Sequence, residues 1–186
     1  MDDKPVVLIL HGDDSYGIEQ FILSISGRMG DPAMAELNTT RLDGRSASDE
    51  ELRTATTSIP FLAERRLTIL THPLAKLTSA ANQKRFTALL ESLPQTTALI
   101  LVVEDRFGWQ TRDKRLDWDV LKEKHWLVTW AAAAGKRAYV REFSLPKANE
   151  MPEWVMKQAR ELKGQFTPGG AQALANLIGS DTQLAS

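Results

Sequence analysis

The first residues with the types and spacing to do chemistry lie in "GDDSYGIE", Gly12 to Glu19. Gly12 and Gly17 follow an apolar run and precede an amphipathic one, and four residues separate them, as in a loop whose backbone amides cradle nucleotide phosphates. Such a loop needs a lysine after the second glycine to meet the β- and γ-phosphates, then a Ser or Thr hydroxyl for magnesium. Ile18 and Glu19 stand there instead, and Asp13 and Asp14 put carboxylates where phosphate oxygens would approach. The spacing equally fits an ordinary glycine turn capped by Asp14 or Ser15. On either reading the groups that hydrolyse a nucleotide are missing from this loop.

The other places where chemistry could reside are no better furnished. Hydrolysis needs an apolar strand ending in Asp or Asp-Glu to hold magnesium and orient water, whereas "LTIL" ends in Thr71-His72. "VVED" does end in Glu104-Asp105, but one strand later, and it reads as a solvated strand end with a helix cap. His11, His72 and His125 are scattered without ligand spacing or a paired carboxylate, so no metal site and no catalytic triad is expected. Trp109, Trp118, Trp126 and Trp130 could stack on bases or form core and sheet edge. Lys136-Arg137 with Arg141 could touch a phosphate backbone or form a charged loop. With no cysteine, disulfides, thiolate metal sites and thiol nucleophiles are excluded.

One stretch offers contact in place of chemistry. "SIPFLAERRLTIL" sets Phe61 and Leu62 between Pro60 and the charged run Glu64-Arg65-Arg66. The pair is either a corner of the core under a sheet or an apolar wedge presented to a partner, with Ile59 and Pro60 shaping the approach and the charges forming a polar rim.

The elements that must position these residues follow from periodicity. "VVLILHG" is a continuous apolar run closed by glycine, as in a strand buried on both faces. Ile18, Phe21, Ile22, Ile25 and Met29 recur at helical spacing from Ser15. "NTTRLDG" (38–44) reads as a short strand, and Ser48 with Glu51 as a capping box opening a helix to about Thr57. "RRLTIL", a helix from about Thr78 to Ser92 and the strand "TALILVVED" follow. A helix carrying Leu116, Val120 and Leu121 and a strand "HWLVTW" (125–130) complete the alternation expected of a three-layer parallel α/β sheet. After "EFSLP" (142–146) two helices come in succession, opened near Pro152 and at Thr167-Pro168 and stopped at Gly164 and Gly179. Residues 1–146 are thus expected to form an α/β domain and 147–186 a small helical domain, which ends before its bundle looks complete, as in a fragment of a longer chain.

Composition bounds the partners. Lys and Arg number 23 against 24 Asp and Glu, a net charge of −1, so no global basic field drives binding to nucleic acid or anionic membrane. The acidic amino terminus and the short apolar run Val6 to Leu10 suit neither a signal peptide nor a membrane span. A cytoplasmic protein is expected.

The ordered set of segments resembles the delta subunit family of the bacterial DNA polymerase III clamp loader. The resemblance rests on "LILHGDDSYGIEQFI", "TRLDGRSASDEEL", "SIPFLAERRLTIL", "TALILVVE" and "EWVMKQARELKGQFTPGGAQALANLIGSD". "GWQTRDKRLDWD" and "WAAAAGKRA" depart from the family's usual pattern, and the family's collar domain would follow Ser186. The resemblance implies an ATPase-like fold of P-loop/AAA+ type with a degenerate nucleotide site at Gly12, Gly17, Ile18 and Glu19, followed by a small helical lid. It implies no cofactor and no intrinsic catalysis, the activity being that of a subunit of the polymerase, a nucleotidyltransferase. It also implies a role in DNA replication: binding and opening the sliding clamp (the beta subunit), beside gamma/tau and delta prime subunits, with primed DNA met through the complex and no membrane. In the family an apolar pair at the tip of the Pro-Phe segment enters a clamp pocket, and the matching residues are Phe61 and Leu62, with Ile59 and Pro60 beside them. The alternatives from the residues are an active P-loop ATPase with a divergent loop and a nucleic-acid-binding module.

Overall fold

In the computed structural model, which describes residues 4–111 and 114–184, strands β1 (Val7–Gly12), β2 (Thr39–Asp43), β3 (Arg66–Thr71), β4 (Thr97–Glu104) and β7 (Ala138–Phe143) form one sheet. Their order is β2-β3-β4-β1-β7, and every pairing is parallel. β1 lies between β4 and β7 and is buried along its whole length, which is why its sequence does not alternate.

Successive strand residues face opposite sides of a sheet, and the two sets are covered by different helices. Leu8, Leu10, Leu67, Ile69 and Ile100 pack against Ile18 and Ile22 of α1 (Ser15–Ser26). Ile9, Leu70, Leu99 and Leu101 pack against Leu52 of α3 (Asp49–Thr57), Phe86 and Leu90 of α4 (Ala80–Ser92) and Leu127 of α5 (Trp126–Ala134). The result is the expected three-layer α/β arrangement. α3 opens with the expected capping box, Ser48 and Glu51 each bonding the other's backbone amide.

The structure differs from the sequence expectation in four places. "HWLVTW" is not a strand but the start of α5: His125 Nδ1 accepts a hydrogen bond from the Leu127 amide at 3.3 Å, and a run of alanines carries the helix to Gly135. A short apolar run fits either period, and here the cap and the alanines decide. The strand lies further on, in β7, whose Ala138 and Val140 pack on the core while Tyr139 and Arg141 are exposed, the mixed pattern of a sheet edge. Leu116, Val120 and Leu121 do not share a helix. β5 (Phe107–Gln110) and β6 (Arg115–Trp118) form an antiparallel hairpin with Leu116 opposite Trp109, and the buried Asp105 carboxylate holds the Val120 and Leu121 amides at 2.8 and 2.7 Å in the turn after it. A short helix α2 (Pro32–Leu37), capped by Asp31, precedes β2.

After β7, α6 (Met151–Glu161) and α7 (Pro168–Ile178) pack on one another through Met151, Val155, Ala171 and Ala175, a cluster separate from the two beside the sheet.

Candidate functional site

The segment between α3 and β3 leaves the body of the protein with its apolar residues outward. Ile59, Phe61 and Leu62 are 88, 58 and 79 % exposed, and Pro60 is half-buried. The base beneath them is tied to the sheet. Two fully buried hydroxyls of the sheet, Thr68 Oγ1 and Thr97 Oγ1, donate to the carbonyls of Ala55 and Thr56 at 3.0 and 2.7 Å, fixing the last turn of α3 on the sheet. Ser58 then closes the helix.

On the other side of the tip, Arg65 turns inward. Its guanidinium donates to the carbonyl oxygens of Pro5 and Thr97, and burial lowers its pKa. Arg66 reaches Thr40 Oγ1 at 3.2 Å. The expected polar rim is therefore narrower than the sequence suggested: Glu64 is exposed, while the two arginines brace the base of the tip. Between these supports Leu62 has φ +48°, a left-handed backbone that a branched side chain seldom adopts.

The loop after β1 has a different character. The helix begins at Ser15, so Gly17 and Ile18 lie in its first turn and not in a loop before it. Asp14 caps that turn, accepting from the Gly17 amide at 3.0 Å, and the buried Thr182 hydroxyl donates to the same carboxylate oxygen at 2.8 Å. The Leu145 amide donates to Asp13 Oδ1 at 2.8 Å. Ile18 is buried against the sheet, and Glu19 pairs with Arg41 on the surface.

The two glycines are required by packing, with no phosphate needed to explain them. Gly12 has φ +136°, and a Cβ there would sit 1.9 Å from the Phe143 carbonyl oxygen; at Gly17 it would sit 2.3 Å from Asp14 Oδ2. The position that an anion would take at the head of α1 is filled by the chain's own carboxylate.

At the ends of β2, β3 and β4, His72 lies between Asp43 and Glu104, with Nδ1 3.3 Å from Asp43 Oδ1 and Nε2 3.0 Å from Glu104 Oε1. Arg45 forks onto Asp43, and its hydrogen bonds hold that carboxyl below the ordinary carboxylate range. His11 faces Asp105 at 3.5 Å and the edge of the Trp118 ring. So these histidines do have carboxylate neighbours that spacing did not reveal. Among the described residues, however, no group of three His, Cys, Asp or Glu is placed to hold a metal ion.

The aromatic and basic candidates are mostly engaged. Trp118 is buried with its indole N–H on Glu142, and Trp126 and Trp130 pack against the core, leaving Trp109 exposed. Arg137 donates to the carbonyls of Leu90, Glu91 and Leu93, and Arg141 lies over the Phe21 and Phe143 rings.

Residues 8–124 match the sequence model of the DNA polymerase III delta subunit family. The chain belongs to that family. No curated protein sequence matches it significantly. Its fold is similar to that of the Bacillus subtilis DNA clamp loader delta protein, with TM-score 0.68 and 18% identity over 98% of this chain and 51% of that one. It is also similar to a Thermotoga maritima RuvB variant, with TM-score 0.51 and 14% identity over 96% of this chain and 51% of the other. The chain spans about half the length of these structures. The parallel sheet with flanking helices is thus an α/β fold similar to that of AAA+ proteins such as RuvB, in a delta-family chain. No helix among the described residues is long and apolar enough to cross a membrane.

Sequence reasoning missed Asn38 and Thr182. Asn38 bonds Phe61 across 23 positions and Thr182 bonds Asp14 across 168. No local pattern carries such a pairing.

Proposed function

We propose that this chain is a clamp-loader delta-type subunit that binds and opens the ring-shaped sliding clamp, with Phe61 and Leu62 entering an apolar pocket on the clamp and Ile59 and Pro60 lining the approach. The observation that carries this reading is a cluster of exposed apolar side chains on a braced turn of a family member. Phe61 and Leu62 leave 58 and 79 % of their surface available. Burying that much contributes roughly 2–4 kcal/mol, about 30-fold to 1000-fold in affinity. That is the scale of an interface hot spot.

In this reading ATP hydrolysis belongs to neighbouring subunits of the gamma/tau type, with a delta prime subunit completing the loader and primed DNA met through the assembly. The Asp14 carboxylate at the head of α1 supports that division of labour. Residues 1–146 act as the AAA+-like domain and 147–186 as a helical lid, supported by the separate apolar cluster of α6 and α7. Work in DNA replication in the cytoplasm follows from the same reading.

The test is a titration of a purified bacterial sliding clamp with wild-type chain and with Phe61→Ala/Leu62→Ala. Both side chains are exposed, so the double variant is expected to melt like wild type and to lose at least about 30-fold in affinity. Unchanged affinity in a folded double variant would overturn the proposal.

A further inference from the structure

The exposed tip must hold its shape without a core around it. Among the described residues, the hydrogen bonds that tie residues 59–64 to the rest of the protein are two, both to the main chain of Phe61 and both from one side chain. Asn38 Oδ1 accepts from the Phe61 amide at 2.6 Å, and Asn38 Nδ2 donates to the Phe61 carbonyl at 2.8 Å. The same Nδ2 donates to the Met34 carbonyl at 2.9 Å. The Asn38 backbone carries the rest of the joint, its N–H bonding the Met34 carbonyl and its carbonyl accepting from Leu67 at the start of β3.

Asn38 is 1 % exposed, so its end of these bonds is shielded from competing water. Its amide presents an acceptor and a donor side by side, as the backbone of a neighbouring strand would. Phe61 is thereby paired as if in a sheet while its ring stays outside. The next residue, Leu62, can then be held at φ +48°. No other side-chain type of this size offers both roles: a carboxylate would face the Phe61 and Met34 carbonyl oxygens with lone pairs, and an aliphatic group would leave the Phe61 N–H and C=O unpaired.

We infer that Asn38 is the positioning residue of the docking tip, fixing Phe61 and Leu62 in the presented conformation before a partner arrives; this rests on the clamp-docking reading above. Ordering such a turn on binding would otherwise reduce affinity. Asn38 touches no partner and acts through Phe61.

The experiment compares the full chain with Asn38→Ala, Asn38→Asp, Leu62→Ala and Asn38→Ala/Leu62→Ala. Three properties are read: affinity for a purified bacterial sliding clamp, hydrogen exchange of the Phe61 amide and of the β4 amides, and thermal melting. Asn38→Ala is expected to speed exchange at Phe61, to leave β4 protected and to weaken clamp binding by about 10- to 100-fold. In the Leu62→Ala background the further loss should be clearly smaller, because both changes act on one tip; a general loss of fold would not show that coupling. Asn38→Asp keeps the acceptor for the Phe61 amide but turns a buried carboxylate oxygen on the Phe61 and Met34 carbonyls, so it should impair the tip at least as much as Asn38→Ala. If neither variant folds, the wild-type chain decides: its Phe61 amide should exchange more slowly than the Leu62 and Glu64 amides, and equal exchange overturns the inference. Unchanged clamp affinity in Asn38→Ala, with Phe61→Ala/Leu62→Ala impaired, overturns this inference. So does full protection of the Phe61 amide in Asn38→Ala. Unchanged affinity in both variants overturns the docking reading itself.

Discussion

Gly12 and Gly17 show how one residue spacing can be read two ways. As a phosphate motif they would be expected to matter for nucleotide binding; in the structure each answers a local contact, and the two contacts differ in hardness. The Gly12 neighbour is the main chain of an adjacent strand, whereas the Gly17 neighbour is the end of the Asp14 side chain. Gly12→Ala should therefore lower stability by about 2–4 kcal/mol, roughly 5–15 °C in Tm. Gly17→Ala should lower it less, because Asp14 can swing aside at the cost of its cap. Thermal melts of the two variants check the order, and equal melts would mean that β7 yields more readily than the close approach implies. The same contrast explains what was legible. Phe61 and Leu62 stood out because an apolar pair beside charges is visible in one dimension. Asn38 did not, because its meaning is a contact with Phe61 made only after β2 and β3 are paired.

Elements whose ends carried side-chain signals were readable, and those fixed by distant contacts were not. Ser48-x-x-Glu51, Thr167-Pro168 and the unbroken apolar runs of β1 and β4 gave the right elements. The hairpin of β5 and β6 did not announce itself, since the turn after it is held by Asp105 from the end of β4. α5 does not announce itself because its short apolar run fits either period and its cap is a histidine, an uncommon residue in that role. That cap makes the helix sensitive to pH. His125 is half-buried, and burial holds its pKa below the ordinary 6.5. The unfolded chain therefore takes up the proton first as pH falls, so the cap's contribution is full above about pH 6.5 and is lost as pH drops toward the folded-state value. Protonated Nδ1 can no longer accept from the Leu127 amide, and a cation at a helix N-terminus opposes the helix dipole. His125→Asn, which caps without titrating, should flatten that part of the profile in melts between about pH 8 and pH 5. A wild-type profile no steeper than that of the asparagine variant would count against His125 as the titrating cap.

Over the whole molecule, the loop after β1 and the turn after α7 are joined into one structure at the place where a nucleotide-hydrolysing relative would open a site. Asp14 receives the Gly17 amide from its own helix and the Thr182 hydroxyl from the far end of the chain, and Gln183 donates to Ser15 beside it. The carboxylate thus ties the turn after α7 to the sheet through the head of α1. Asp14→Ala should cost about 1–3 kcal/mol, from the lost cap and the buried Thr182 hydroxyl left without an acceptor. It should also speed exchange of the Asp181 to Leu184 amides ahead of the β1 and β4 amides. It should not create a nucleotide site, because Ile18 stays in the core and no lysine follows Gly17. Titration of wild type and Asp14→Ala with labelled ATP and magnesium is expected to show no saturable micromolar binding in either. Binding with turnover in the wild type would mean that the Asp14–Thr182 contact opens to admit phosphate, and the assignment of hydrolysis to neighbouring subunits would fall with it.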